Sequence, residues 1–261
     1  MLNFCDKIFT VMRRFCYKKL FVYFLIILLL STPILGWGGK THQKIAKEAF
    51  YALPKEYQKK LSPYFDEIID GSTAPDRIYR DFDSHIYHVY GSKGKGPEKV
   101  REKYLEIIRL IQDKKPWRLI AFQLGVLSHY IADLNQPLHT ATSKTENLFH
   151  SKYEKDAEVI EPKRPKSLKY ISYPMSYIIE RAKIASKYYS DIERAYLRGK
   201  GFSDVSKITQ RQIDEATFDV ASYFYSALER GTRGTSFIDL VNDLIDYIKG
   251  IFFRLKREVT K

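Results

Sequence analysis

The chain has 261 residues, which is long enough for one sizeable domain with a hydrophobic core, and no shift in composition marks a boundary between two domains. It carries 44 basic and 31 acidic residues, so its net charge of +13 favours anionic partners such as nucleic acid, lipid headgroups or phosphate esters. Both cysteines, Cys5 and Cys16, lie near the N-terminus, which excludes an internal disulfide or a thiolate metal site in the rest of the chain.

The first 36 residues have the pattern of an export signal. Basic residues precede an unbroken apolar run of 11 residues, Leu20 to Leu30, which is short for a membrane span and suits the hydrophobic part of a secretory signal. Counted on to Gly36, the apolar stretch reaches 17 residues, so an uncleaved membrane anchor is the alternative. We expect a secreted or extracytoplasmic protein, with a signal peptide or anchor over 1–36 and one domain over 37–261.

After the leader, helical periodicity dominates and alternating strand patterns are scarce. Pro97 and Pro116 stand where they would open helices, because the first helical position needs no N–H donor. Residues 71–95 and 135–148 hold turn-forming residues and are expected to be irregular. We predict an all-α fold, a single multi-helix, bundle-like domain. Its predicted helices are 41–53, 55–69, 97–113, 116–134, 173–198, 207–230 and 236–256.

The last predicted helix has a capping signal and an apolar stripe. Ser236 is a candidate N-cap, with Asp239 three residues later. A stripe of this kind usually packs into the core, and that is our prediction here. Its basic end leaves a membrane surface as the alternative. The stripe consists of Phe237, Leu240, Val241, Leu244, Ile248 and Ile251.

The stretch LGVLSHYIADLNQPLHTA, residues 124–141, carries the strongest chemical signal. His129 and Asp133 are four residues apart on a helix, so their side chains share one face. Pro137 stops the helix, which lets the following His139 approach the same point from a turn. In FHSKYE, His150 and Glu154 repeat the i, i+4 spacing.

Imidazole and carboxylate are the ligands that suit zinc when no thiolate is present, and an i, i+4 pair chelates rigidly. One such pair alone is more often a local contact than a metal site. The distribution of histidine favours the metal reading, since the last 107 residues contain none. The six histidines are His42, His85, His88, His129, His139 and His150.

The segments SHYIADLNQPLH and FHSKYE together resemble the signature of zinc-dependent bacterial phospholipases C. Their helical superfamily also includes the three-zinc, single-strand-specific nucleases. The resemblance extends over roughly residues 37–154, and it implies the all-α fold of that superfamily and up to three zinc ions.

The resemblance also implies metal ligands before the signature. In this superfamily the mature chain begins with a tryptophan whose amino nitrogen and carbonyl oxygen bind zinc, and Trp37 follows Gly36, where a signal peptidase would cut. In WGGKTH the next ligand corresponds to His42, and in STAPDR the aspartate corresponds to Asp76. SHIYHVYG offers two histidines for the following ligand, His85 and His88, and the choice between them stays open.

The resemblance further implies how these residues share the metals. Asp133 would bridge two zinc ions, with His129, Asp76 and His85 or His88 on one side and His139, His150 and Glu154 around the second. Trp37 and His42 would hold the third. A zinc-bound hydroxide would attack a phosphodiester in line. Asp76 and Asp133 are the implied catalytic residues, with Asp76 as a candidate proton acceptor.

The implied substrate is a phospholipid headgroup phosphodiester, because the final acid is Glu154, as in the phospholipases. Nucleic acid is the alternative substrate, since the short interval from Trp37 to His42 is typical of the nucleases. A second alternative is a non-catalytic zinc-binding domain held at a membrane surface. No feature of the sequence implies a protein partner.

Overall fold

Eleven α-helices account for most of the protein in the computed structural model, which describes residues 37–91 and 93–259. No strand occurs among these residues, so the prediction of an all-α fold is confirmed. All of them belong to one compact unit. The helices are α1 (Gly39–Ala52), α2 (Lys55–Leu61), α3 (Phe65–Gly71), α4 (Gly96–Gln112), α5 (Trp117–Asp133), α6 (Pro137–Thr140), α7 (His150–Ala157), α8 (Pro174–Ser186), α9 (Tyr189–Arg198), α10 (Phe202–Arg233) and α11 (Phe237–Val259).

Two of the predicted helices are each divided in the structure. The segment 55–69 breaks at a 3-10 turn, Ser62–Tyr64, because Pro63 has no N–H to continue the helical hydrogen bonds. The segment 173–198 divides between α8 and α9. The apolar spacing continues from α8 into α9, so the hydrophobic pattern did not predict the break between them.

Helix α5 lies at the centre of the fold and positions the histidine signature. It packs against α1, α3, α4 and α10, and it is apolar nearly all round, with every residue from Gln123 to Asp133 buried. Pro116 precedes its first turn, as predicted. The ionisable end of the helix is therefore enclosed by other helices.

Helices α3 and α5 touch through their backbones at a pair of glycines. A Cβ on Gly71 would lie 2.3 Å from the carbonyl oxygen of Phe122, and a Cβ on Gly125 would lie 2.2 Å from that of Ile68. Only residues without side chains permit this approach. It brings the chain just after α3, at Ser72, against the last turns of α5.

The prediction that the C-terminal stripe packs into the core is wrong. Phe237 is 82% exposed, and Leu240 and Leu244 are 57% and 59% exposed. The predicted cap is confirmed, since the Asp239 amide donates to Ser236 Oγ and the Ser236 amide donates to the Asp239 carboxylate. The stripe faces outward because the opposite face of α11 carries the acids that pair with the body of the protein.

The predicted leader, residues 1–36, lies outside the described residues. Among the helices that the structure does describe, none combines the length and the apolar character needed to cross a membrane.

Candidate metal centre

The last turn of α5 brings the first pair of chelating side chains into the interior. His129 Nε2 lies 3.2 Å from Asp133 Oδ2, and both side chains are fully buried. The Gln136 side chain accepts a hydrogen bond from the Leu138 amide and so starts α6 at once. The short turn between α5 and α6 places His139 Nδ1 3.9 Å from Asp133 Oδ1.

Two more side chains come from the irregular segment between α3 and α4. Asp76 is the second residue of a single π-helical turn, Pro75–Tyr79, a geometry found often at functional sites. Its Oδ1 lies 3.5 Å from His85 Nδ1 and 3.6 Å from His129 Nε2. His85 Nδ1 also lies 2.9 Å from Asp133 Oδ2, so this segment joins the end of α5.

Helix α7 supplies the pair that was expected from the i, i+4 spacing. His150 Nε2 lies 2.7 Å from Glu154 Oε1, and His139 Nε2 lies 3.7 Å from the same oxygen. On its other side, His150 Nδ1 bonds Glu146 Oε1 at 2.9 Å. The Gln136 amide donates to Glu154 Oε1 at 3.1 Å and fixes that carboxylate.

The first turn of α1 closes the site from the opposite side. The His42 ring stacks on His129 with centroids 3.9 Å apart, and its Nε2 lies 3.3 Å from Asp133 Oδ1. Just before α1, the buried Trp37 indole donates to the Ala132 carbonyl at 3.1 Å. Trp37 is thus held beside the turn that carries Asp133.

The structure brings nine of the ten candidate ligands into this region and leaves one aside. Among the described residues, three groups of side chains offer ligand atoms that lie within 4.8 Å of one another. His88 belongs to none of them, whereas His85 does. The His88 side chain is buried outside these groups. The groups are His42, His129 and Asp133; Asp76, His85 and His129; and His139, His150 and Glu154.

The hydrogen bonds around these groups fit divalent cations. His129 Nδ1 donates to the Ser72 carbonyl at 2.8 Å and His139 Nδ1 to the His85 carbonyl at 2.9 Å, which turns both Nε2 atoms toward the carboxylates. Histidines that bind metals are oriented in this way. Asp133 Oδ1, like His42 Nε2 and Asp76 Oδ1, is buried and has no hydrogen-bond partner. Such atoms are costly unless a cation faces them.

The pKa shifts of the buried histidines also indicate a site that favours positive charge. Burial alone would lower the pKa of His129, but Asp133 and Asp76 outweigh it and raise this pKa to about 10. Burial opposes the two neighbouring carboxylates at His150 as well, and they raise its pKa to about 9. At His42, burial and the charge of His129 lower the pKa. Buried carboxylates therefore favour positive charge at this site.

Sequence reasoning missed several groups that hold the candidate ligands in place. Glu146 and Gln136 orient His150 and Glu154, and Asp81 Oδ1 lies 3.5 Å from His85 Nε2 while accepting from the Tyr130 hydroxyl at 2.8 Å. Glu146 precedes His150 by four residues, so an i, i+4 search would have found it. The spacing of Asp81 gives a similar signal, since it precedes His85 by four residues.

Sequence comparisons identify relatives of one kind. A family model described as zinc dependent phospholipase C matches residues 41–198. The phospholipase C of Bacillus cereus is 27% identical over 125 residues, or 44% of this chain and 43% of that protein. The phospholipase C of Clostridium novyi is 27% identical over 163 residues, or 49% of this chain and 41% of that protein. The match therefore spans less than half the length of these relatives.

Two solved structures with the same fold are alpha-toxins. That of Clostridium absonum has a TM-score of 0.62 and 19% identity, over 78% of this chain and 67% of the toxin. Alpha-toxin of Clostridium perfringens from an avian strain has a TM-score of 0.61 and 16% identity, over 79% and 66%. The fold is therefore shared, and the family model covers more than half of the chain, including all the side chains of the three groups. From these observations, the chain belongs to the zinc-dependent phospholipase C family.

Proposed function

We propose that this protein is a zinc-dependent phosphodiesterase that hydrolyses phospholipid headgroup phosphodiesters. The observation that carries the proposal is the set of three adjoining groups of imidazoles and carboxylates with unpartnered buried atoms. Family membership supports zinc as the cation. The curated relatives named phospholipase C support the phospholipid as substrate.

Each group has a distinct part in this proposal. Asp133 has contacts with all three groups and would join two ions, one held with Asp76, His85 and His129 and the other with His139, His150 and Glu154. His42 and the main chain of Trp37 would hold a third. Zinc bound there would supply positive charge for the phosphate and lower the pKa of a bound water from 15.7 to about 7.

Asp76 has the position of a proton acceptor as well as that of a ligand. Its side chain is 10% exposed, whereas that of Asp133 is fully buried, so it is the more accessible of the two to water. A carboxylate that holds a cation is a weak base, so its main contribution would be to position the ion and the attacking water. Asp133 would contribute charge and position only.

We propose that the protein is exported and that its leader is removed before Trp37. A free amino group at Trp37 would then lie beside the Asp133 turn, where the indole already anchors the residue. Sequencing the N-terminus of the exported protein tests this step. A chain that keeps the leader would have no α-amino nitrogen at Trp37 to bind zinc.

The activity is tested with zinc-loaded protein on two substrates, phosphatidylcholine vesicles and single-stranded DNA. We expect release of phosphocholine, loss of the release when zinc is chelated, and recovery when zinc is returned. Cleavage of DNA with intact lipid would replace the proposal with a nuclease. Bound zinc with neither substrate cleaved would indicate a non-catalytic domain.

A further inference from the structure

Helix α11 carries a continuous apolar face that lies on the protein surface. Of the nineteen large hydrophobic side chains that are exposed among the described residues, nine belong to this one helix. They recur every three or four residues and so follow one side of a helix about 35 Å long. They are Phe237, Ile238, Leu240, Leu244, Tyr247, Ile248, Ile251, Phe252 and Leu255.

The other face of α11 is polar and fixes how the helix is turned. Asp243 accepts two hydrogen bonds from the Arg230 guanidinium, at 2.8 and 2.6 Å. Asp246 is fully buried and accepts from the Met175 and Ser176 amides at the start of α8. Rotating the apolar face inward would break these bonds, so the outward orientation is built into the protein.

The C-terminal end of α11 is anchored close to the candidate metal centre. The Arg257 guanidinium donates to the carbonyls of His88, Lys93 and Gly94. These carbonyls belong to the loop that follows His85. The apolar face therefore ends beside the segment that carries a candidate ligand.

The charges on the outward face favour one kind of partner. Apart from the nine apolar side chains, the exposed residues between 237 and 257 are Lys249, Arg254 and Lys256. The acids in that range, Asp239 and the two described above, all lie on the inner face and are buried or half-buried. Arg254 pairs with Glu98 of α4, whereas Lys249 lies over the Tyr173 ring and adds an exposed positive charge beside the apolar stripe. An apolar stripe with such a charge at its edge matches an anionic bilayer.

A second copy of the protein fits this face less well. Two such faces brought together would place Lys249 near the cations of the other helix, and no acid between 237 and 257 is exposed to pair with it. Like charges held close oppose association. Anionic lipid removes that repulsion and covers the apolar side chains.

We propose that α11 docks the protein on anionic lipid surfaces, lying in the plane of the headgroups with its apolar stripe buried. Phe252 and Leu244 enter the boundary between headgroups and acyl chains, while Lys249 contacts lipid phosphates. The inference concerns binding and holds whether or not the protein hydrolyses lipid.

A single environment-sensitive fluorophore tests the docking in the full chain. The label is placed at Phe252→Cys after Cys5→Ser and Cys16→Ser, and Asp133→Asn keeps the lipid intact. The matched control is Val159→Cys, since Val159 is 72% exposed and Phe252 is 67% exposed. Vesicles of phosphatidylcholine alone are compared with vesicles that also contain phosphatidylglycerol.

We expect a blue shift of the label at 252 with the anionic vesicles only, and no shift at 159. Because the readout is local to α11, binding through the N-terminal leader does not produce it. An unchanged spectrum at 252 overturns the proposal. A label at 252 that is already shielded without lipid, in a protein that sediments as a dimer, overturns it in favour of a second copy.

A charge variant tests the electrostatic part. Lys249→Gln removes one cation from the outward face, and we expect about fivefold weaker binding to the anionic vesicles. Lys187→Gln, a lysine at the exposed end of α8, is the control and should bind as the parent does. Equal binding of the parent and Lys249→Gln would contradict a contact between this face and lipid phosphates.

Discussion

Two of the regions that hold buried carboxylates differ in their surroundings. On the inner face of α11, both oxygens of Asp243 pair with Arg230, and both oxygens of Asp246 accept backbone amides. In the candidate metal centre, Asp133 Oδ1 and Asp76 Oδ1 are buried without a hydrogen-bond partner. In the first region the hydrogen bonds come from the protein itself, whereas in the second the buried oxygens fit a cation.

The difference separates structural carboxylates from functional ones. A buried acid whose every lone pair is satisfied has its stabilising partner already, so its removal should affect folding. An acid left unsatisfied beside oriented imidazoles should affect metal binding and catalysis instead. Three substitutions test this distinction.

Asp133→Asn should have the largest effect. It removes charge from the side chain that contacts all three groups, and we expect the loss of at least one zinc ion and a fall in hydrolysis of more than about 100-fold, because even outer-shell changes cost 10- to 100-fold. Elemental analysis and phosphocholine release measure these quantities, and circular dichroism checks the fold. Asp191→Asn on α9, an acid 38% exposed, is the control. Full metal content and activity in Asp133→Asn would show that the centre does not work as proposed.

Arg230→Gln should act on stability alone. It leaves Asp243 largely buried without its guanidinium, and we expect the free energy of unfolding to fall by about 2–3 kcal/mol in urea titrations. Zinc content per folded molecule should not change. Arg254→Gln, on α11 like Asp243, breaks a more exposed pair with Glu98 of α4 and should cost no more than about 1 kcal/mol. Equal losses in the two variants would mean that the inner face of α11 is not held by its buried charges.

Glu146→Gln should have the smallest effect. The amide keeps an acceptor for His150 Nδ1 and loses the negative charge, so we expect about tenfold weaker zinc affinity. Competition with a chelator measures the affinity, and saturating zinc should restore hydrolysis. Glu102→Gln on α4, whose side chain is 54% exposed, is the control. An unchanged affinity would remove Glu146 from the groups that orient the centre.

The sequence was most informative where spacing alone places groups together. His129 with Asp133, and His150 with Glu154, follow from one helical turn, and Pro137 explains the return to His139. Asp76 and His42 approach this point from distant segments, so only the family resemblance indicated them. The choice between His85 and His88 depends on a loop conformation that no periodicity records.

The sequence was misleading where one hydrophobic pattern is compatible with two orientations of a helix. The stripe of α11 has the spacing of a core face, but spacing does not say which face points inward. That choice depends on Arg230 and Arg233, which lie on another helix and pair with the acids of α11. Pro63 was a local signal for the broken second helix and outweighs the apolar spacing around it.

The contact between Gly71 and Gly125 has a consequence for protein engineering. The carbonyl that aims His129 stands one residue beyond Gly71, so a methyl group at either glycine would push the two helices apart and rotate the imidazole with them. A screen restricted to charged or chelating positions would miss both sites. The geometry of the candidate metal centre is thus open to change from positions that carry no side chain.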